Sequence, residues 1–244
     1  MLTPKPWRAD RIVWLVAALL ASISLGTLVV QGYQALLPKD EPKGQASLVV
    51  MLIGTLMFHG VALALVGVFL RQHQLTWSEA FGFNAPRRKR AILLAVLTSI
   101  VVLPIAWSLG QLSQVVLLKL GLTPQAQQAV QALTAANSLG QQIYFFIVAV
   151  LLAPVVEEII FRGILYTALK HFGFPTFALW GASLAFALMH TNMMTFLPLL
   201  FFAVILTFLY ETTGNLLSSI IAHSLFNATN FILLLWQAGA AVKS

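Results

Sequence analysis

Apolar residues in this chain come in long blocks rather than the short stretches of a soluble core. They fall at about 12–37, 48–70, 91–118, 143–169, 174–193, 195–212 and 216–236. A helix needs roughly 20 apolar residues to cross the hydrocarbon core of a bilayer, so the pattern predicts seven spans, of which the sixth is the shortest. The first block follows Lys5, Arg8 and Arg11, as a secretory signal would. It runs far beyond a signal's apolar region, which makes it a retained span. Two connections stand out. Residues 71–90 carry Arg71 and the cluster Arg87, Arg88, Lys89 and Arg90, whereas residues 123–140 are Gln-rich and uncharged. The second segment suits an interfacial helix or a lid. The expected fold is therefore an all-α, polytopic transmembrane helical bundle of about seven spans with an interfacial helix. It is a single integral membrane domain, with N-terminal helices and the polar connection in 1–140 and a chemical half in 141–237.

Composition agrees. Apolar residues make up 59% and charged residues 9% of the chain, against about a quarter charged in soluble domains. The absence of cysteine excludes disulfides, thiolate metal sites and cysteine nucleophiles. The net charge of +7 is explained by membrane topology, not by nucleic acid, because Lys and Arg collect in cytoplasmic loops. With the N-terminus inside, Lys5, Arg8, Arg11, Arg71, Arg87, Arg88, Lys89, Arg90 and Lys170 are cytoplasmic, while Lys39, Lys43, Lys119 and Lys243 fall outside. That imbalance predicts a cytoplasmic N-terminus.

Ionisable groups at membrane depth are costly and mark functional sites. Of seven acids, Asp10, Asp40, Glu41 and Glu79 lie in termini or loops, and Glu211 ends a span at the interface. Glu157 and Glu158 remain, adjacent inside AVLLAPVVEEIIFRGILY. Successive helical residues are about 100° apart, so the two carboxylates cannot share one face. Glu158 and Arg162 stand at i and i+4 with the acid first, the favourable order for a pair. Glu157 has no same-helix cation, and an apolar setting suits it to general-base work. His190 is its candidate partner: with a turn near Gly173, Glu157 lies 16 residues before the turn and His190 17 after, at similar depth in an antiparallel hairpin. Phe186 lies one turn before His190 on the same face.

In the last block Ser219, His223, Asn227 and Asn230 form one polar stripe at i, i+4, i+8 and i+11. Such residues often bond helices together, and that reading suits Ser219 and Asn230. His223 and Asn227, donors one turn apart, also suit a developing oxyanion. His59, mid-span without a clear polar companion, is read as structural.

Glu157-Glu158-x-x-x-Arg162, Phe186-x-x-x-His190 and His223-x-x-x-Asn227, in that order on separate late helices, resemble the CPBP family of type II CAAX prenyl endopeptidases and bacterial CAAX-protease-like, bacteriocin-processing or immunity proteins. The resemblance covers about residues 140–235. It implies a glutamate-dependent intramembrane endopeptidase without a cofactor, acting on a membrane-associated protein or peptide in a bacterial inner membrane. Glu157 with His190 would activate water, His223 and Asn227 would hold the oxyanion, and Glu158, Arg162 and Phe186 would support them. Three other readings use the same residues: a zinc protease ligated by Glu157, His190 and His223, a non-catalytic immunity factor or scaffold, and a transporter.

Overall fold

A computed structural model describes residues 2, 5–37, 43–84, 88–136 and 138–241, for 43–48 and 238–241 the backbone alone. Lys39, Asp40, Glu41, Arg87 and Lys243, and the side chain of Lys43, lie outside the described residues, and so does their share of the charge bias. Among the described residues there is no strand. Six helices are long and apolar enough to cross a membrane: α1 (Ala9–Leu36), α2 (Val49–Gln72), α4 (Arg88–Lys119), α6 (Leu139–His171), α8 (Met193–Thr213) and α9 (Leu216–Gln237). Three shorter helices join them: α3 (Trp77–Phe81), α5 (Gln128–Thr134) and α7 (Pro175–Met189). The protein is an integral membrane helical bundle, with about seven apolar helices as the block pattern predicts.

The block lengths differ in one respect. The sixth block is not the short one: α8 has 21 residues and α7 only 15. The cause is local. The chain leaves α7 at His190, and Thr191 takes a left-handed φ of 47°. Asn192 then caps α8, its Oδ1 accepting from the Thr195 N–H at 3.0 Å, and Met193 and Met194 join α8. At 1.5 Å per residue α7 rises about 22 Å, short of the roughly 30 Å hydrocarbon core.

The chain forms two compact units, 6–76 and 1–5 with 77–244. In the first, α1 packs on the helix that carries His59. A side-chain carbon on Gly26 would lie 2.9 Å from Met57 Cβ, so only glycine allows that approach. His59 sits in a widened, π-helical turn (Leu56–Gly60), edge-on to Phe58 at 4.9 Å.

In the second unit, α4, α8 and α9 share a core of alternating small and large residues. Ala95, Val102 and Ala106 of α4 face Phe202, Leu206, Leu209, Ala222 and Phe226. In lipid, close packing and interhelical hydrogen bonds drive such association. Ser99 Oγ accordingly reaches the Ala222 carbonyl at 3.3 Å, and Ser219 Oγ the Leu206 carbonyl at 2.9 Å. Asn230 is bridged to α4 by the Trp107 indole N–H at 2.9 Å. Ser219 and Asn230 thus bond helices together. Gly173, at φ +90°, makes the turn between α6 and α7 where the sequence places it. Gly163 lets α3 dock on α6, because a Cβ there would lie 2.6 Å from the Phe81 ring.

Candidate active site

The site is built on an irregular stretch of α6. Two π-helical segments, Ile147–Leu152 and Ile159–Tyr166, bracket the α-helical turn that carries the two glutamates. Pro154 explains the first. The Ala153 N–H turns back to Val148 O, and Pro154 has no N–H. The two residues that would pair with the Ala149 carbonyl in α or π register therefore do not. Asn227 satisfies it from α9, its Nδ2 donating to Ala149 O at 2.8 Å. A backbone acceptor released by proline is thus tied off by a side chain of the neighbouring span, as the membrane interior requires.

One turn further along, Glu158 is fully buried and Arg162 is 1% exposed. Arg162 Nη1 donates to Glu158 Oε1 at 2.8 Å and Nη2 to the Ala203 carbonyl at 3.2 Å, and the guanidinium lies 4.4 Å over the Phe186 ring. The pair that the i, i+4 spacing predicts is present. Its charges are compensated by hydrogen bonds and a cation–π contact, which a buried ion pair needs to be tolerated.

Glu158 Oε1 has a second partner. His223 Nδ1 lies 2.8 Å from it, and a carboxylate only accepts, so Nδ1 carries the proton. The other ring nitrogen, Nε2, is 3.8 Å from Glu157 Oε2. The two adjacent glutamates, on different faces of their helix, thus meet opposite sides of one imidazole. Phe186 and Phe202 fix the ring plane edge-to-face, at 5.7 and 5.4 Å. The buried Oε2 of Glu158 has no hydrogen-bond partner among the described residues.

His190 is held separately. Its Nδ1 donates to the Phe186 carbonyl at 2.8 Å, which leaves the Nε2 lone pair as the basic position, and its ring packs on Phe186 at 4.8 Å. No hydrogen bond or ion pair joins His190 to Glu157 among the described residues. Glu157 makes its ion-pair contact with His223. His190 and His223 flank the same Phe186 ring, so one buried aromatic organises Arg162 and both histidines. Glu157 is the more accessible of the two acids, with its side chain 17% exposed.

Sequence reasoning missed the Ala149 and Ala203 carbonyls, Phe202, and the place of His223 between the two acids. A signal for the first exists: Pro154 stands five residues after Ala149, the distance at which a π-turn leaves a carbonyl unpaired. Glu211, expected to end its span, forms a second cluster. It accepts from Tyr166 Oη at 2.6 Å and from the Leu2 N–H at 3.3 Å, and pairs with Lys170.

Searches among curated proteins and among solved structures returned no match. Residues 139–229 match a family model described as Type II CAAX prenyl endopeptidase Rce1-like, a protease family. That segment contains Glu157, Glu158, Arg162, Phe186, His190, His223 and Asn227, and this part of the chain is similar to Rce1-like type II CAAX prenyl endopeptidases.

Proposed function

We propose that the protein is an intramembrane endopeptidase in which Glu157 is the general base. The observation that carries this reading is the His223 ring, anchored through Nδ1 by the Arg162–Glu158 pair and turned with Nε2 toward Glu157 at 3.8 Å. An oxygen at about 2.8 Å from both atoms fits over that gap. It is the position for a water or a substrate carbonyl.

Hydrolysis then runs as follows. Glu157 takes a proton as the water oxygen bonds to the scissile carbonyl carbon, with the His190 Nε2 lone pair orienting the water. Charge develops on the carbonyl oxygen, and a doubly protonated His223, donating through Nε2–H while its Nδ1–H stays on Glu158, stabilises it together with the second Nδ2 hydrogen of Asn227. The carbonyl re-forms, the C–N bond breaks, and Glu157 returns the proton to the leaving amine. Glu158 and Arg162 are positioning residues. The substrate is a membrane-associated protein or peptide, and the excess of Lys and Arg before residue 12 and in 71–90 favours a cytoplasmic N-terminus in a bacterial inner membrane.

The test is hydrolysis of membrane-anchored peptides by purified protein in lipid nanodiscs, followed by mass spectrometry. Cleavage is expected to survive exhaustive chelation and to disappear with Glu157→Gln. Loss on chelation with rescue by zinc would replace this mechanism by a metalloprotease. Cleavage that is unchanged in Glu157→Gln contradicts it outright.

A further inference from the structure

The Gln-rich connection has a place in the structure. Gln127 Nε2 donates to Thr195 Oγ1 at 2.8 Å, and Asn192 Nδ2 donates to the Gln125 carbonyl at 2.9 Å. Both bonds land on the start of α8, just beyond His190. Beneath the segment lies a cavity of about 540 Å³, walled by α4, α5, α8 and α9. It adjoins the candidate active site at two points. Leu199 lines it and also packs with Phe161 and Phe186. Phe226, on α9 between His223 and Asn227, lines it too and stacks on Phe202 at 4.3 Å. From Phe226 the wall continues along α9 through Asn230 to Gln237, a rise of roughly 16 Å.

We infer that this cavity holds the uncharged peptide stretch flanking the scissile bond, an inference that rests on the endopeptidase reading above. Its polar lining is mostly carboxamide: Gln111, Gln114, Gln127, Asn230 and Gln237, with the Thr195 hydroxyl. Among the described lining residues none is charged. A carboxamide offers both a donor and an acceptor, the complement of a peptide group. A hydrocarbon or isoprenoid chain would match the apolar part of the wall but leave the unengaged carboxamides desolvated and unpaired. A phosphate headgroup calls for Lys or Arg, which the lining lacks. Three of these polar groups are already engaged, Asn230 with Trp107, and Gln127 and Thr195 with each other. That leaves Gln111 and Gln114, on consecutive turns of α4, and Gln237 at the far end of α9 as the contacts assigned to substrate. Gly110 marks the open volume, since a Cβ there meets nothing within 4 Å.

Binding is measured apart from hydrolysis. Full-length Glu157→Gln protein in nanodiscs is incubated with a degenerate pool of uncharged, end-blocked decapeptides, and retained peptides are quantified by mass spectrometry. A fluorescent fatty acid serves as the hydrocarbon probe. Adding Gln111→Leu with Gln114→Leu is expected to weaken peptide retention about tenfold, the effect of losing one or two hydrogen bonds. Adding Gly110→Trp, which projects into open volume, is expected to abolish retention, and the fatty acid should not displace the peptides. Equal peptide retention by all variants overturns the inference. So does a fatty acid that binds, is blocked by Gly110→Trp and finds no peptide competitor. If peptides bind and respond as expected but the wild type cleaves none of them, the cavity assignment stands and the hydrolytic mechanism fails.

Discussion

Two carboxylate clusters occupy this domain, and they differ in how their acceptors are satisfied. At the end of α8, Glu211 accepts from Tyr166 Oη and the Leu2 N–H and pairs with Lys170. Its side chain is 17% exposed and that of Lys170 28%. Donors surround that carboxylate, as in a structural tie. Around Glu157 and Glu158, Arg162 is the one permanent cation paired with them among the described residues. Arg162 and His223 both use Glu158 Oε1, Glu158 Oε2 is left without a partner among the described residues, and Glu157 faces His223 across 3.8 Å. A cluster that holds helices together satisfies its acceptors; under the mechanism proposed above, the Glu157–Glu158 cluster keeps acceptors for a reactant. The difference separates stability from activity by residue.

The largest stability effect is expected from Arg162→Ala, which strands Glu158 as an uncompensated buried charge. Breaking a buried pair costs about 3–5 kcal/mol, so thermal unfolding and expression should fall together with cleavage. A variant that unfolds at the wild-type temperature would show that Glu158 does not depend on Arg162. Lys170→Ala should matter less, because the pair is partly exposed and Glu211 keeps Tyr166 and Leu2. A loss of about 1 kcal/mol is expected, or a melting point lower by roughly 2–4 °C, with kcat unchanged. Altered kcat there would tie the second cluster to catalysis. The smallest effect belongs to Ser219→Ala. It removes one interhelical bond, to Leu206 O, worth about 0.6 kcal/mol in a membrane bundle. A drop comparable with that of Arg162→Ala would mean that Ser219 belongs to the buried network.

The sequence made one of these clusters legible and not the other. Glu158 and Arg162 sit four residues apart, within reach of helical periodicity, and the turn at Gly173 follows from glycine between two apolar blocks. Glu211 and Lys170 are 41 residues apart, and Glu158 and His223 are 65 apart. No period connects such pairs, so only the packing of α6 against α8 and α9 brings them together. Equal depth was a fair guide to which helices meet, but not to which atoms do. It suggested His190 at the depth of Glu157, and it gave no hint that His223 Nε2 lies 3.8 Å from Glu157 Oε2. The role of the Gln-rich segment was illegible for a similar reason. Carboxamides mark no chemistry until Thr195 and Asn192 show what they are tied to.

The central claim, that adjacent glutamates divide the work between base and support, is tested most directly by comparing Glu157→Gln with Glu158→Gln. Peptide cleavage and thermal unfolding are measured on the same nanodisc preparations. Glu157→Gln should unfold like the wild type and cleave slower by about 10²–10⁴-fold or more. Glu158→Gln should unfold earlier, because Arg162 and the His223 Nδ1–H lose their shared charged acceptor. Normal cleavage by Glu157→Gln, with a stable and inactive Glu158→Gln, would contradict the account and reverse the two roles.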